Sequence, residues 1–400
     1  MTAPVPGEPQ SLTRLELLLG GLTALGPLSI DLYLPALPAI GAEFTVDTAA
    51  VELSLSAFFA GFAIGQLVAG PIVDRLGRVG PLQVALTIYV LASLGCALAP
   101  SNDLLIACRF LQALGGATAV VVPRAIVRDL RSGAAAVHML SRLMLVMGVA
   151  PIVAPLLGGW VLHAFGWRAI FVLLAGFGAL ALVASTLALR SRAAPPGPQG
   201  PLRMAAQIAA LAREPDFRTY ALCGAFTSAG MFAYISGFSF VFIEVHHVDP
   251  RHYGWFFGAN ALGLIAASQL NRLLVGRFSS EQVLRGATGL ATAAALTVLA
   301  VVWTDTGGLW GVAGALFVFV STLGVVAPNA TAMALERHGE RAGLASAVLG
   351  SLQFVIAATA SWAVSALHDD TAAPMAAVIA GASCLALLCF ALRRRATAAG

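Results

Sequence analysis

The 400-residue sequence is 59% hydrophobic and only 10% charged, with a mean hydropathy of +0.87, which excludes an ordinary soluble domain and calls for many bilayer spans. Its net charge of +4 and pI near 9.0 come from arginine alone, because the chain has no lysine. The arginines lie between apolar runs, so the basic balance reports membrane topology and argues against a nucleic-acid partner.

Cys96, Cys108, Cys223, Cys384 and Cys389 are odd in number, fall inside apolar runs and show no C-x-x-C spacing. Neither disulfides nor a metal is indicated, no cofactor is expected, and the thiols read as core filler. The first dozen residues, MTAPVPGEPQSL, lack the basic region of a cleavable signal, so the first apolar run is expected to stay as an anchor.

Runs of about twenty apolar residues, long enough to cross a hydrocarbon core, recur at Leu17 to Ile40, Val51 to Val73, Pro81 to Ala99, Leu104 to Val127, Leu140 to Leu162 and Ala169 to Leu189. Six more follow at Tyr220 to Phe242, Tyr253 to Val275, Val283 to Trp303, Leu309 to Ala334, Leu344 to Leu367 and Pro374 to Leu392. With the amino terminus inside, every arginine except Arg109, Arg168 and Arg251 falls on or near the cytoplasmic side. This bias predicts that both termini are cytoplasmic.

The first run contains SIDLYLPALPAI and places Asp31 fourteen residues into the span, roughly 21 Å from its start at about 1.5 Å per residue. Glu52 follows at the outer start of the second run, a weaker candidate for proton binding than Asp31 at a place where such a residue is ordinarily solvated. The second run ends in Gly70-x-x-x-Asp74-Arg75-x-Gly77-Arg78, a charged hairpin at a membrane surface. Its glycines are expected to let the backbone turn tightly and approach a neighbour.

Arg109 lies five residues into the fourth run, about 8 Å deep in a core roughly 30 Å thick, at nearly the depth of Asp31. An unpaired charge there costs about 2.5 to 3.5 kcal/mol, so both are expected to face the bundle interior and one another, directly or through water. The pair is either a static device for helix packing or the mark of a transport pathway. Burial favours a neutral carboxyl and a guanidinium favours the anion, so Asp31 is the candidate proton acceptor and Arg109, which keeps its proton, the modulator.

Arg109, Gln112 and Gly116 share one face of the fourth helix. Asp129 closes that helix at a carboxyl end, where an anion needs a basic partner such as Arg78. Asp74 is expected to meet the amino end of the eleventh span near Gly343, giving a cytoplasmic latch; the alternative is a set of solvated interfacial charges. The fifth run carries Gly148, Pro151 and Ala154-Pro155-Leu-Leu-Gly158-Gly159, suited to close contact and bending in lipid.

Between Arg190 and Arg218 lies the longest polar stretch, with the stiff segment AAPPGPQG. Leu202, Ala205, Ile208, Ala209 and Ala212 read either as a short amphipathic helix on the inner leaflet or as an ordinary turn. The second half answers the charged hairpin only with Asn271-Arg272 and Gly276-Arg277, without a carboxylate. His246, His247 and His252 lack the companions of a metal site and read as loop residues.

The Gly70 to Arg78 pattern resembles the loop between helices two and three of the major facilitator superfamily, apart from Val79 where a basic residue is usual. Arg109-x-x-Gln112-x-x-x-Gly116 is similar to the family's fourth-helix motif, implicated there in proton transfer. Pro155, Gly158 and Gly159 resemble the fifth-helix signature of its drug:proton antiporters, with Ala154 in place of a glycine. SIDLYLPALPAI and the stretch Phe217 to Gly263 look like the Bcr/CflA drug-resistance subfamily, although Phe238-Ser239 stands where Ser-Pro is common.

The resemblance implies an all-α membrane protein of twelve transmembrane helices in two pseudo-symmetric six-helix bundles. Residues 1–189 form the first bundle, 190–218 a cytoplasmic linker and 219–400 the second. The implied function is a proton-coupled antiporter, not an enzyme, that exports small amphipathic drugs across the cell inner membrane. The expected partners are the drug, protons and lipid, and the expected state is a monomer. Tyr33 and Tyr234 are expected to line the substrate cavity, with Phe232 and Phe238 nearby. An exporter of a metabolite (amino acid, sugar or nucleoside) on the same scaffold is the alternative reading; an intramembrane enzyme would need a nucleophile and base in one cavity, and Cys108 has no histidine at its depth.

Overall fold

The computed structural model describes residues 8–130, 133–189, 208–336 and 342–398; side chains at 8–14, 48, 74, 128–129, most of 133–148, 342–343 and 392–398 lie outside that description. The expectations for Leu202 and Ala205 therefore fall outside the described residues, whereas residues 208–213 are helical.

Among the described residues the chain is helical throughout, with twelve helices of 19 to 33 residues. In chain order these are α1 Glu8–Asp31, α3 Thr48–Leu76, α4 Val79–Ala97, α5 Asn102–Leu130, α6 Gly133–Phe165, α7 Trp167–Ala188, α8 Pro215–Ser239, α9 Pro250–Val275, α10 Ser280–Thr304, α11 Gly308–Leu335, α12 Ala342–Ala366 and α13 Ala373–Ala398. A short helix, α2 (Leu37–Phe44), completes the first span. Among the described residues, ten spans are long and apolar enough to cross a bilayer by length and composition.

The two halves repeat one contact scheme. In the first, α1 packs on α6 and α7, α3 on α5, and α4 on α5 and α7; in the second, α8 packs on α12 and α13, α9 on α11, and α10 on α11 and α13. Each pair in one half has its counterpart six spans later, the arrangement of a parallel repeat. The halves meet along two further contacts, α3 with α12 and α6 with α9. Twelve crossings put both termini at one end, here called the terminal end; the opposite end is distal.

Leucines and valines such as Leu17, Leu91, Leu180 and Leu187 are exposed around the rim, as lipid-facing positions are when no water is present to exclude them. Trp160, Trp255, Trp303, Trp310 and Trp362 are also exposed and belong to distal helix ends, where indole rings sit at a headgroup boundary. Core filling describes Cys96 and Cys223, which are buried, but not Cys384, which is exposed.

The first span is not continuous. Pro35 and Pro38 lack the N–H that would bond back along the helix, so α1 stops at Asp31 and the chain passes through a turn and one 3₁₀ turn, Leu34–Ala36, before α2. The seventh span ends differently, winding past Ser239 into a π-helical turn, Phe240–Val245. Both irregular segments lie at the distal end, where the halves touch: the Ser239 hydroxyl donates to the Leu34 carbonyl at 2.6 Å.

Candidate functional site

Arg109 is fully buried inside the first half. Its Nη1 donates to the Ser29 carbonyl at 2.9 Å and to Gln112 Oε1 at 2.6 Å. The guanidinium carbon sits 4.3 Å from the Phe58 ring centre, 4.7 Å from Tyr33 and 5.8 Å from Phe171, so ring faces take the place of the water it has lost. Gln112 passes the network on, donating to Ser93 Oγ at 2.7 Å, while the Ser29 and Tyr89 hydroxyls bond each other at 2.7 Å. The helical spacing of Arg109 and Gln112 makes this grip possible.

Asp31 is 4% exposed and, among the described residues, forms no ion pair with Arg109. The bond to Ser29 puts the two charges at about the same depth, as their sequence positions implied, but not face to face. The Ser29 hydroxyl meets Tyr89 of α4, so that side chain points into the first half; two residues along a helix is about 200° of rotation, which turns Asp31 out of it. The expectation that the two face one another is corrected by this geometry. The carboxyl instead lies within electrostatic range of Tyr234 on α8 and Tyr253 on α9.

A polar cluster from both halves thus surrounds the seam beside Asp31. Asn260 donates to the Tyr234 hydroxyl at 3.0 Å, and Tyr234 stacks on Phe257 with ring centres 5.5 Å apart. Tyr253 is fully buried and its hydroxyl has no hydrogen-bond partner. Ser361 on α12 bonds Ser56 on α3 at 2.9 Å and Ser236 on α8 at 2.7 Å. Phe232 and Phe354 of the second half close against Phe59 of the first, at 4.6 and 6.5 Å. Tyr253 and Asn260 were not singled out from the sequence; a tyrosine and an asparagine within an apolar run were the available signal.

Tyr33 sits elsewhere than expected. It is buried in the first half with its ring over Arg109 and its hydroxyl bonded to Ser54 Oγ at 2.6 Å, so it supports the guanidinium and does not face the second half. Tyr234 does face the seam, and Phe238 packs behind it at 4.9 Å.

The fifth-helix glycines occupy close contacts. A Cβ on Gly158 would stand 2.2 Å from the Leu32 carbonyl oxygen, beside Asp31, and one on Gly159 would stand 2.7 Å from the Pro250 carbonyl oxygen of the second half. Pro155 lies within α6 one turn before them. The α6 backbone therefore approaches the first span at Gly158 and α9 at Gly159 more closely than any side chain there allows.

The charged hairpin is only partly described. Gly77 adopts φ +88° where α3 ends, a conformation suited to glycine. Gly70 lies inside α3, and among the described residues nothing stands within 4 Å of a Cβ placed there. Arg75 is exposed and Arg78 half-buried. The side chains of Asp74 and Asp129 lie outside the described residues, so the expected latch to Arg78 and to the start of α12 near Gly343 falls outside them too.

At the distal end the two exceptional arginines are accounted for. Arg168 pairs with Glu43, which also accepts from Trp167 Nε1 at 2.6 Å. Arg251 lies 4.0 Å from Asp249 and contacts His163 Nδ1 at 3.2 Å.

Known proteins agree with this fold. The chain is 36% identical over 376 residues to the uncharacterized MFS-type transporter YdgK of Bacillus subtilis, covering 91% of each. It is 32% identical over 373 residues to a bicyclomycin resistance protein homolog of Haemophilus influenzae, covering 90% of each. A bacterial homolog of the human lysosomal transporter Spinster, solved in an inward-facing and occupied conformation, superposes with a TM-score of 0.73 at 16% identity over 98% of both chains. The family profile of the Major Facilitator Superfamily matches residues 19–361. With the repeated six-helix halves and the match along most of its length, this chain belongs to the Major Facilitator Superfamily, as a membrane transporter and not an enzyme.

Proposed function

We propose that the protein is a proton-coupled antiporter that exports small amphipathic drugs across the inner membrane by alternating access, with Asp31 as the proton carrier. The observation that carries this reading is the position of Asp31: a buried carboxyl at the broken end of α1, without an ion pair to Arg109, facing the tyrosines of the opposite half. A helix carboxyl end opposes a negative charge, and a group held without a fixed cation can exchange its proton as the halves separate. Arg109, locked into Ser29, Gln112 and three rings, positions α1 and does not itself relay protons.

Aromatic surfaces and a few convergent polar groups suit an amphipathic ligand, and the resistance function named for the Haemophilus relative points the same way. The arginine distribution supports cytoplasmic termini, which would make the touching distal ends the outer side and the present state inward-facing. One proton entering across about 100 mV contributes about 2.3 kcal/mol, enough to hold a neutral drug at about a fiftyfold gradient for one-for-one exchange.

The test is efflux from cells and uptake into inverted vesicles with an imposed pH gradient, comparing wild type with Asp31→Asn. The variant is expected to insert normally and to lose gradient-driven transport. Full pH-driven flux in Asp31→Asn would refute the assignment. A panel of drugs and of amino acids, sugars and nucleosides in the same vesicles separates drug export from metabolite export.

A further inference from the structure

Glu52 occupies the start of α3, at the distal seam, and the proposed mechanism does not use it. It is 1% exposed, and its Oε2 has no hydrogen-bond partner. Residues around it join the two halves: Ala49 accepts the Ser365 hydroxyl of α12 through its carbonyl, and Ser56 donates to Ser361 of α12. Ser54 bonds Tyr33 within the first half.

The charged group acting on Glu52 from the other half is a second carboxylate, Glu244, in the π-helical turn that follows α8. From its own half the titratable neighbour is Tyr33. Ser361 and Ser365 of α12 and Asn102 of α5 bring only neutral groups to this region. Arg109 is turned onto its rings, and Glu43 of α2 is taken by Arg168. Among the described residues no cation is among the groups acting on Glu52.

An ionised carboxylate with an unfilled lone pair bears its full desolvation penalty, and a second carboxylate opposite adds repulsion in a medium that screens weakly. The neutral acid escapes both. We propose that Glu52 is a second proton-binding site, filled from water as the distal ends of the two halves close and emptied to water as they part. The step makes an O–H bond on the Glu52 carboxylate with a proton from solution, and opening breaks it again. This site couples protonation to the shape of the transporter and does not depend on Asp31 being the carrier.

The distance between halves tests it without measuring transport. Spin labels at Leu98→Cys and Trp303→Cys, both exposed on peripheral helices of opposite halves, would be read by pulsed electron double resonance. The background carries no native cysteine, and the pH runs from about 5 to about 9, which covers the titration of buried carboxyls. The closed population should fall as pH rises, because closure stabilised by the bound proton is lost when Glu52 ionises. Glu52→Gln should stay closed across the range, Glu244→Gln should remain closed to higher pH than wild type, and Asp31→Asn should keep the wild-type response. A pH-independent distance in the wild type, a full pH response in Glu52→Gln, or loss of the response in Asp31→Asn with its retention in Glu52→Gln would each overturn the proposal. Should Glu52→Gln fail to fold, an unshifted response in Glu244→Gln overturns it equally.

Discussion

Asp31→Asn tests the geometry of the site as well as its chemistry, through stability. If Asp31 neutralised Arg109, removing its charge would strand a buried guanidinium, at about 3–5 kcal/mol. Arg109 instead keeps Ser29, Gln112 and the Phe58 and Tyr33 rings whatever stands at position 31. Asparagine matches aspartate in size and brings no charge for the site to bury. The melting transition of Asp31→Asn is therefore expected within about 1 kcal/mol of wild type, unchanged or raised. Arg109→Met is the contrast: it loses two bonds from a charged donor, about 1.5–3 kcal/mol each, and about 2 kcal/mol of ring contact, against about 2.5–3.5 kcal/mol of relieved charge burial. The net loss is about 2–5 kcal/mol. Thermal unfolding in detergent at neutral pH, followed by size-exclusion fluorescence, compares the two. A fall in Asp31→Asn as large as that in Arg109→Met would refute the unpaired geometry.

Arg109→Lys keeps the charge but not the planar fork or the ring stacking, so it should lose about 2 kcal/mol in the same melt; an unshifted transition would show the guanidinium contacts to be unimportant. Gly158→Ala must push a methyl against the Leu32 carbonyl and should cost about 1–3 kcal/mol. Gly176→Ala, in open space on α7, should be neutral or stabilising by up to about 1 kcal/mol, and equal effects at the two sites would contradict the close contact. Tyr253→Phe removes a buried hydroxyl that has no partner, so its melt should not fall. The pH profile of vesicle transport in Tyr253→Phe should nevertheless move, because Tyr253 lies within electrostatic range of Asp31; an unaltered profile would separate the two residues.

Apolar run length was enough to read the spans, because the bilayer imposes one length on each of them. Counting residues along those spans also brought Asp31 and Arg109 to one depth. Depth is a single coordinate, however, and the rotation of α1 about its axis was not accessible from it; the contact of the Ser29 hydroxyl with Tyr89 turns Asp31 away from the first half. The prolines of LPALPAI were a readable signal for the interruption after Asp31, since each removes a helix donor, but a continuous hydropathy run conceals it. Gly158 and Gly159 were legible as a contact, whereas their partners, the Leu32 and Pro250 carbonyls, are tertiary facts. Tyr33 was misplaced because one aromatic next to a carboxylate fits a ligand site and a packed guanidinium equally well.

The distal seam is held in large part by neutral hydroxyls resting on main-chain oxygens and on each other: Ser239 on Leu34, Ser365 on Ala49, and Ser56 with Ser361. Each such bond contributes about 0.5–1.5 kcal/mol, so together they form a clasp that thermal motion can undo. None of these bonds carries net charge, and dissolved ions have little to screen there. While Glu52 is protonated and the seam carries no charge of its own, the clasp should open and reclose at the same rate in dilute and in concentrated salt.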